Sequence, residues 1–246
     1  MSKKETLSKA ELQKMTGLDF SEQNSQKENV KVTIIGNQKT YNGAIIVDGK
    51  SKRYATEGLT IQNISFSAEN ISEPAYINLG KSGNGNTRYT NNVTVKDCTF
   101  STTSTKDVAA VKSYTGGDWN LNISGCTVNE GMHSMLQVAN VEKGLNIAGC
   151  KVYSKNGINL NNTPSLEMEG CTFDTKGYAI RVGVNGNTNN GVFNISNSTL
   201  KSDCEDDDAV IILRGNMAGS TLNLTNTTVT GTLQYTNESN ATINVM

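Results

Sequence analysis

Four of the five cysteines in this chain recur at one position of a repeated eight-residue phrase. The phrases VTVKDCTF, LNISGCTV, LNIAGCKV and LEMEGCTF begin at residues 93, 121, 145 and 166, and their sixth residues are Cys98, Cys126, Cys150 and Cys171. Stacked repeats would therefore place these thiols in one column. A linear column lacks the tetrahedral arrangement of a zinc site, and side chains that point the same way give poor disulfide geometry. We expect four buried free thiols, with Cys204 outside the column.

Other side chains with reactive chemistry are few. The acidic run at 203–208 is rich in carboxylate oxygens, which bind Ca²⁺ in some loops, but its spacing is not that of an EF-hand loop and favours a solvated turn. His133 is the only histidine and lies in a predicted turn, with no base or nucleophile close to it in the sequence. The sequence therefore predicts no catalytic residues, no metal site and no cofactor.

A group of polar residues falls within short apolar strands. Each lies between two inward-facing apolar residues, so the alternation of a strand predicts that all of them point outward on one face. The four residues are Asn78, Gln137, Asn159 and Arg181. Amide and guanidinium groups on a flat sheet are a candidate binding face for a glycan or a partner protein. The same pattern also arises without any ligand, because outward strand positions are commonly polar.

The repeated phrase itself predicts a bend. Its apolar residues occupy positions one, three, six and eight, so the alternation slips at position five. Asn, Asp and Gly tolerate left-handed backbone angles best, which makes this position a sharp corner. In the seven full copies, position five is Asn63, Asp97, Gly125, Gly149, Gly170, Asn197 and Asn226.

The repeat extends over nearly the whole chain. Weaker copies are LTIQNISF at 59, FNISNSTL at 193 and LNLTNTTV at 222, with an eroded copy, VTIIGN, at 32. Full copies begin 21 to 34 residues apart, which is enough for three short strands and their turns. The sequence therefore predicts an all-β fold, a single-stranded right-handed parallel β-helix solenoid of about eight coils. A second strand is predicted after each corner, at residues 44–47, 75–79, 109–111, 135–138, 158–160, 179–182 and 210–213.

Charge and hydropathy restrict the partners. The net charge is −1 and the pI is about 5.9, which argues against nucleic acid or an anionic membrane as a partner. No apolar run is long enough to span a bilayer. The first residues, MSKKETLSKAELQKM, lack the apolar segment of a secretory signal, so we expect the chain to be made in the cytosol.

Residues 1–29 lie outside the repeat, and residues 30–246 form the predicted β-helix. Ser8 and Glu11 have the spacing of a helix capping box, which predicts a short helix. This N-terminal arm would either cap the first coil or dock the rod onto a partner. Its candidate docking residues are Leu12, Met15, Leu18 and Phe20.

With these phrases and their Asn or Gly corners, residues 30–246 resemble the right-handed parallel β-helix family, which includes pectate lyases and other polysaccharide lyases. The stretches NGINLNN, GYAIRVGVNG and DDAVIILRG also look like β-helical proteins of gut bacteria and their tailed phages, some of them virion fibre components. The resemblance implies the fold but not one activity, because such coils serve lyases, glycosidases, adhesins and fibres. Lyases of the family would need a Ca²⁺-binding carboxylate cluster and a basic residue, and glycosidases would need clustered carboxylates. Neither set can be placed on the predicted outward columns.

We therefore expect a non-catalytic structural rod, a head- or tail-fibre component of a virion made in the host cytoplasm. Its arm would mediate a homo-oligomer or contact other virion structural proteins, and its polar face would meet a cell-surface glycan. The alternative is a secreted carbohydrate-binding protein, or an enzyme of the polysaccharide lyase or glycosidase type, located outside the bacterial cell or on its surface.

Overall fold

The computed structural model describes residues 31–47, 58–69, 71–79, 92–113, 120–139, 141, 143–161, 163–183, 190–204 and 209–246. Within these residues there are 25 strands, numbered β1 to β25 along the chain, and no helix. The strands form three sheets in which all neighbours are parallel, and the chain passes from one sheet to the next in turn. This arrangement is the all-β parallel β-helix solenoid that the repeat predicts.

Sheet A has nine strands, and each repeated phrase begins within one of them. Adjacent strands pair in register, so Leu121 lies between Val93 and Leu145. The strands are β1 (Lys31–Ile35), β4 (Gly58–Gln62), β7 (Asn92–Lys96), β10 (Asn120–Ser124), β13 (Gly144–Ala148), β16 (Ser165–Glu169), β19 (Val192–Ser196), β22 (Thr221–Thr225) and β25 (Thr242–Val245).

Sheet B has eight strands and contains the last residues of each phrase. Its strands are short because they lie between two turns of the coil. They are β2 (Thr40–Tyr41), β5 (Ser65–Ala68), β8 (Thr99–Thr102), β11 (Thr127–Val128), β14 (Lys151–Val152), β17 (Thr172–Thr175), β20 (Thr199–Ser202) and β23 (Thr228–Thr230).

Sheet C also has eight strands, and seven of them are the second strands predicted after the corners. Their existence is confirmed, while their ends differ from the prediction by one or two residues in several coils. They are β3 (Ile45–Val47), β6 (Ala75–Leu79), β9 (Ala109–Ser113), β12 (Ser134–Ala139), β15 (Asn156–Asn161), β18 (Ile180–Val182), β21 (Ile211–Leu213) and β24 (Tyr235–Asn237).

The corner between sheet A and sheet B is left-handed in every full copy of the phrase, as predicted. Position five has φ between 48° and 61° in all seven copies. A single left-handed residue reverses the alternation of side chains, so the residue at position six turns into the interior. The cysteines at position six confirm this, because all four are about 1% exposed and none forms a disulfide.

The interior is filled by stacked apolar side chains. Phe66 and Phe100 lie on neighbouring coils with their rings parallel and their centroids 5.0 Å apart. Tyr76 packs against both rings, and its hydroxyl accepts a hydrogen bond from Ala68 N at 2.8 Å and donates one to Ser101 O at 2.6 Å. This aromatic cluster links sheets B and C, because its rings come from β5, β8 and β6.

The outer face of sheet A carries a ladder of amide groups. Asn244 Nδ2 donates to Asn223 Oδ1, Asn223 Nδ2 donates to Asn194 Oδ1, and each distance is 2.8 Å. Asn194 Nδ2 then donates to the Glu167 carboxylate at 2.7 Å. Asn146 Nδ2 makes a similar bond to an asparagine of the preceding coil at 2.8 Å. These side chains form hydrogen bonds with one another across coils. Fewer of their polar groups are therefore available to a ligand.

Candidate ligand-binding face on sheet C

The predicted polar residues lie at one register position of sheet C. Asn78 pairs with Lys112, Lys112 with Gln137, Gln137 with Asn159, and Asn159 with Arg181. The strand register therefore places the four predicted residues in one column, with Lys112 between Asn78 and Gln137. Sequence reasoning missed Lys112 because it ended the strand at residue 111, whereas β9 continues to Ser113.

The members of this column differ in exposure. Lys112, Gln137, Asn159 and Arg181 are half-buried, so part of each side chain reaches solvent. Asn78 is fully buried, and its Nδ2 donates to Ala75 O at 2.7 Å. A ligand on this face would therefore contact the four half-buried residues, which we call the polar column, while Asn78 has no exposed surface.

Several polar atoms on this face are shielded from solvent and lack a hydrogen-bond partner within the described residues. Oδ1 of Asn159 and Nε of Arg181 belong to the polar column. On the same sheet, Oγ of Ser134 on β12 is also shielded and without a partner among the described residues, and that serine has no exposed surface. Burying such a group without a partner costs about 1–3 kcal/mol. Native proteins leave few groups in this state, and several of those in the described residues lie on sheet C.

An aromatic ring positions the arginine of the polar column. Arg181 Cζ lies 5.4 Å from the centroid of the Tyr178 ring, within the range of a cation–π contact. Tyr178 forms a small apolar cluster with Ala209 and Ile212, separate from the main core. Ile212 pairs in register with Arg181, so this cluster lies at one end of the polar column. The column therefore ends in a firmly packed apolar region beside a fixed positive charge.

His133 and Asp107 make a contact at the starts of two sheet C strands, β12 and β9. His133 Nδ1 is 2.9 Å from Asp107 Oδ1, in a contact that is close but not aligned as a linear hydrogen bond. Asp107 is largely exposed and His133 is mostly buried. The prediction that His133 has no functional partner rested on sequence neighbours, and Asp107 is too far away in the sequence to suggest this contact. A carboxylate that accepts a hydrogen bond from Nδ1 orients an imidazole as a general base, and Asp107 is within reach of that role although the bond is not aligned in this structure.

The acidic run is only partly described. Asp203 Oδ1 lies 3.1 Å from Lys201 Nζ, which is also 3.2 Å from Asp174 Oδ1. Residues 205–208 lie outside the described part of the chain. Among the described residues, no group of three or more His, Cys, Asp or Glu side chains is arranged to hold a metal ion.

The predicted docking arm also lies outside the described residues, which begin at Lys31. Its four candidate residues remain a prediction from sequence: Leu12, Met15, Leu18 and Phe20. Within the described residues, no helix is long and apolar enough to cross a membrane.

No protein-family model, curated protein or solved structure matches this chain. The strand topology defines the fold, and the polar column is the feature of the described residues that bears on function.

Proposed function

We propose that this protein is a non-catalytic structural rod that presents the polar column of sheet C to a carbohydrate. The observation that carries the proposal is the in-register column of Lys112, Gln137, Asn159 and Arg181, in which two shielded polar atoms lack a hydrogen-bond partner among the described residues. A β-helix suits this role because its stacked coils hold such side chains at a fixed spacing of about 4.8 Å.

The chemistry of the column favours a hydroxyl-rich ligand. A sugar hydroxyl both donates and accepts, so it can pair with the exposed part of the Asn159 amide and with the Arg181 guanidinium. The amide of Gln137 adds a further donor and acceptor on the neighbouring coil. An extended glycan lying along the column would meet these groups in turn.

The proposal includes a place for the rod in a virion, as a head- or tail-fibre component. The arm at residues 1–29 would dock the rod through Leu12, Met15, Leu18 and Phe20, because apolar residues in a polar segment gain by burial against a partner. The partner would be a second copy of the chain or another virion structural protein.

The glycan proposal is tested by measuring the binding of neutral and uronate-containing oligosaccharides to the full chain by calorimetry. Arg181→Ala and Asn159→Ala should each weaken binding about tenfold or more, because each removes hydrogen bonds to the ligand. Asn146→Ala is the matched control for the amide and Lys151→Ala for the cation, since both residues are exposed on other sheets. Equal affinities for all four variants, or no binding of any oligosaccharide, would overturn the proposal.

The docking proposal is tested by light scattering of the full chain and of a version that lacks residues 1–29, each alone and with purified virion particles. We expect a larger oligomer or a particle-bound species that requires the arm. If both versions of the chain are monomeric and neither binds the particles, the fibre role is contradicted. The glycan proposal would not be affected by that result.

A second candidate function is a carbohydrate-active enzyme, and the contact between Asp107 and His133 favours it. The pair lies at the starts of β9 and β12, two of the strands that carry the polar column. If this candidate is correct, incubation of the oligosaccharides with the chain gives shorter products, and His133→Ala abolishes them without abolishing binding. Intact oligosaccharides after long incubation would exclude this candidate for the sugars tested.

A further inference from the structure

The four cysteines at position six stack one above another inside the corner between sheets A and B. Backbone bonds fix their spacing: Thr127 N donates to Cys98 O, Lys151 N to Cys126 O, and Thr172 N to Cys150 O, each at 2.9 Å. These are the bonds of a regular parallel ladder, so consecutive cysteines are about 4.8 Å apart along the rod. The column continues with Ser198, whose Oγ accepts a hydrogen bond from Cys171 N at 3.1 Å.

All four thiols have the same orientation and surroundings. Each Sγ donates weakly to the carbonyl oxygen two residues earlier in its own corner. The donor–acceptor distances are 3.3 Å for Cys98, 3.4 Å for Cys126, 3.4 Å for Cys150 and 3.3 Å for Cys171. Because the environments repeat, the sulfur atoms repeat with the spacing of the coils. Their side chains point across the rod, so a line along the rod axis joins one sulfur to the next.

This spacing matches a particular kind of metal bond. A metal–thiolate bond is about 2.3 Å long, so an ion with two sulfur ligands in line separates them by about 4.6 Å. We propose that neighbouring thiols of this column bind soft metal ions of linear coordination, the class of Cu(I), Ag(I) and Hg(II). Soft ions prefer thiolate ligands, and two in-line sulfurs do not supply the four ligands that zinc requires.

The proton and charge balance favours a divalent soft ion in this apolar interior. Two thiols release two protons to solvent, two metal–sulfur bonds form, and the two thiolate charges neutralise the ion. A neutral product avoids the cost of an unpaired buried charge.

The test uses Hg(II) with the full chain carrying Cys204→Ser, in the presence of excess glutathione. Glutathione removes an ion that is bound by a single protein thiol. An ion bound by two protein thiols is held as a chelate and is retained. Native mass spectrometry should show about two ions per chain, with ultraviolet absorption from the metal–thiolate bonds and a raised melting temperature. No retained ion on the folded protein would overturn the proposal.

Two matched variants in that background test the geometry, because both keep two column thiols. Cys98→Ser with Cys171→Ser leaves the adjacent pair Cys126 and Cys150, and should retain about one ion. Cys98→Ser with Cys150→Ser leaves two thiols separated by a serine, and should bind at least about a hundredfold more weakly. Serine is compatible with the column because Ser198 already occupies it. Equal retention by both variants would refute binding between neighbouring coils.

Discussion

Replacing Gly149 with valine tests how the left-handed corner builds the fold. Gly149 has φ of +60°, and a Cβ atom added there would meet no atom within 4 Å. The substitution therefore introduces backbone strain without a steric clash against the rest of the protein. A β-branched residue held in the left-handed region costs about 1–3 kcal/mol. In a chain of this size that corresponds to a fall in melting temperature of about 2–12 °C.

The matched control is Gly149→Asn, because asparagine already occupies the equivalent corner at positions 63, 197 and 226. We expect this variant to melt within a few degrees of the wild type. Gly170 gives an independent repeat, since it has φ of +61° and the same open surroundings.

The assay is thermal unfolding followed by circular dichroism at one scan rate, with all variants compared at the same concentration. An unchanged melting temperature for the valine variant would refute the strain argument. If the valine and asparagine variants show equal decreases in melting temperature, glycine is required at this position for a reason other than left-handed geometry.

The remaining predictions concern Tyr76. Tyr76→Phe should lower the free energy of unfolding by about 1–3 kcal/mol. The substitution leaves the buried Ala68 N–H and the Ser101 carbonyl oxygen without their partner. A melting temperature equal to that of the wild type would contradict this prediction. Burial raises the pKa of Tyr76 above its ordinary value of 10.0, so its contribution to stability is complete below about pH 10 and is lost as the pH rises further. The difference in melting temperature between wild type and Tyr76→Phe should therefore narrow between pH 9 and pH 11, and a difference that widens would refute the assigned direction.

The polar column shows how much of a candidate site can be predicted from local sequence patterns. Alternation within each strand predicted that Asn78, Gln137, Asn159 and Arg181 share one face, and the strand pairs place them at one register position. The same patterns did not predict which of them are exposed. Exposure depends on what packs over a side chain from other coils, so the burial of Asn78 was not visible in its own strand.

The sequence alone determined the coil. Its left-handed corners, inward apolar positions and thiol column each depend on a residue type and its immediate neighbours, and a local signal repeated seven times becomes unambiguous. Only the tertiary structure brought His133 to Asp107, placed Arg181 over Tyr178 and left Ser134 Oγ shielded with no partner in the part of the chain that the structure describes. These relations depend on how strand ends and turns meet outside the repeated phrase. The turns vary in length and sequence from coil to coil. No repeated sequence pattern therefore predicts where their side chains lie.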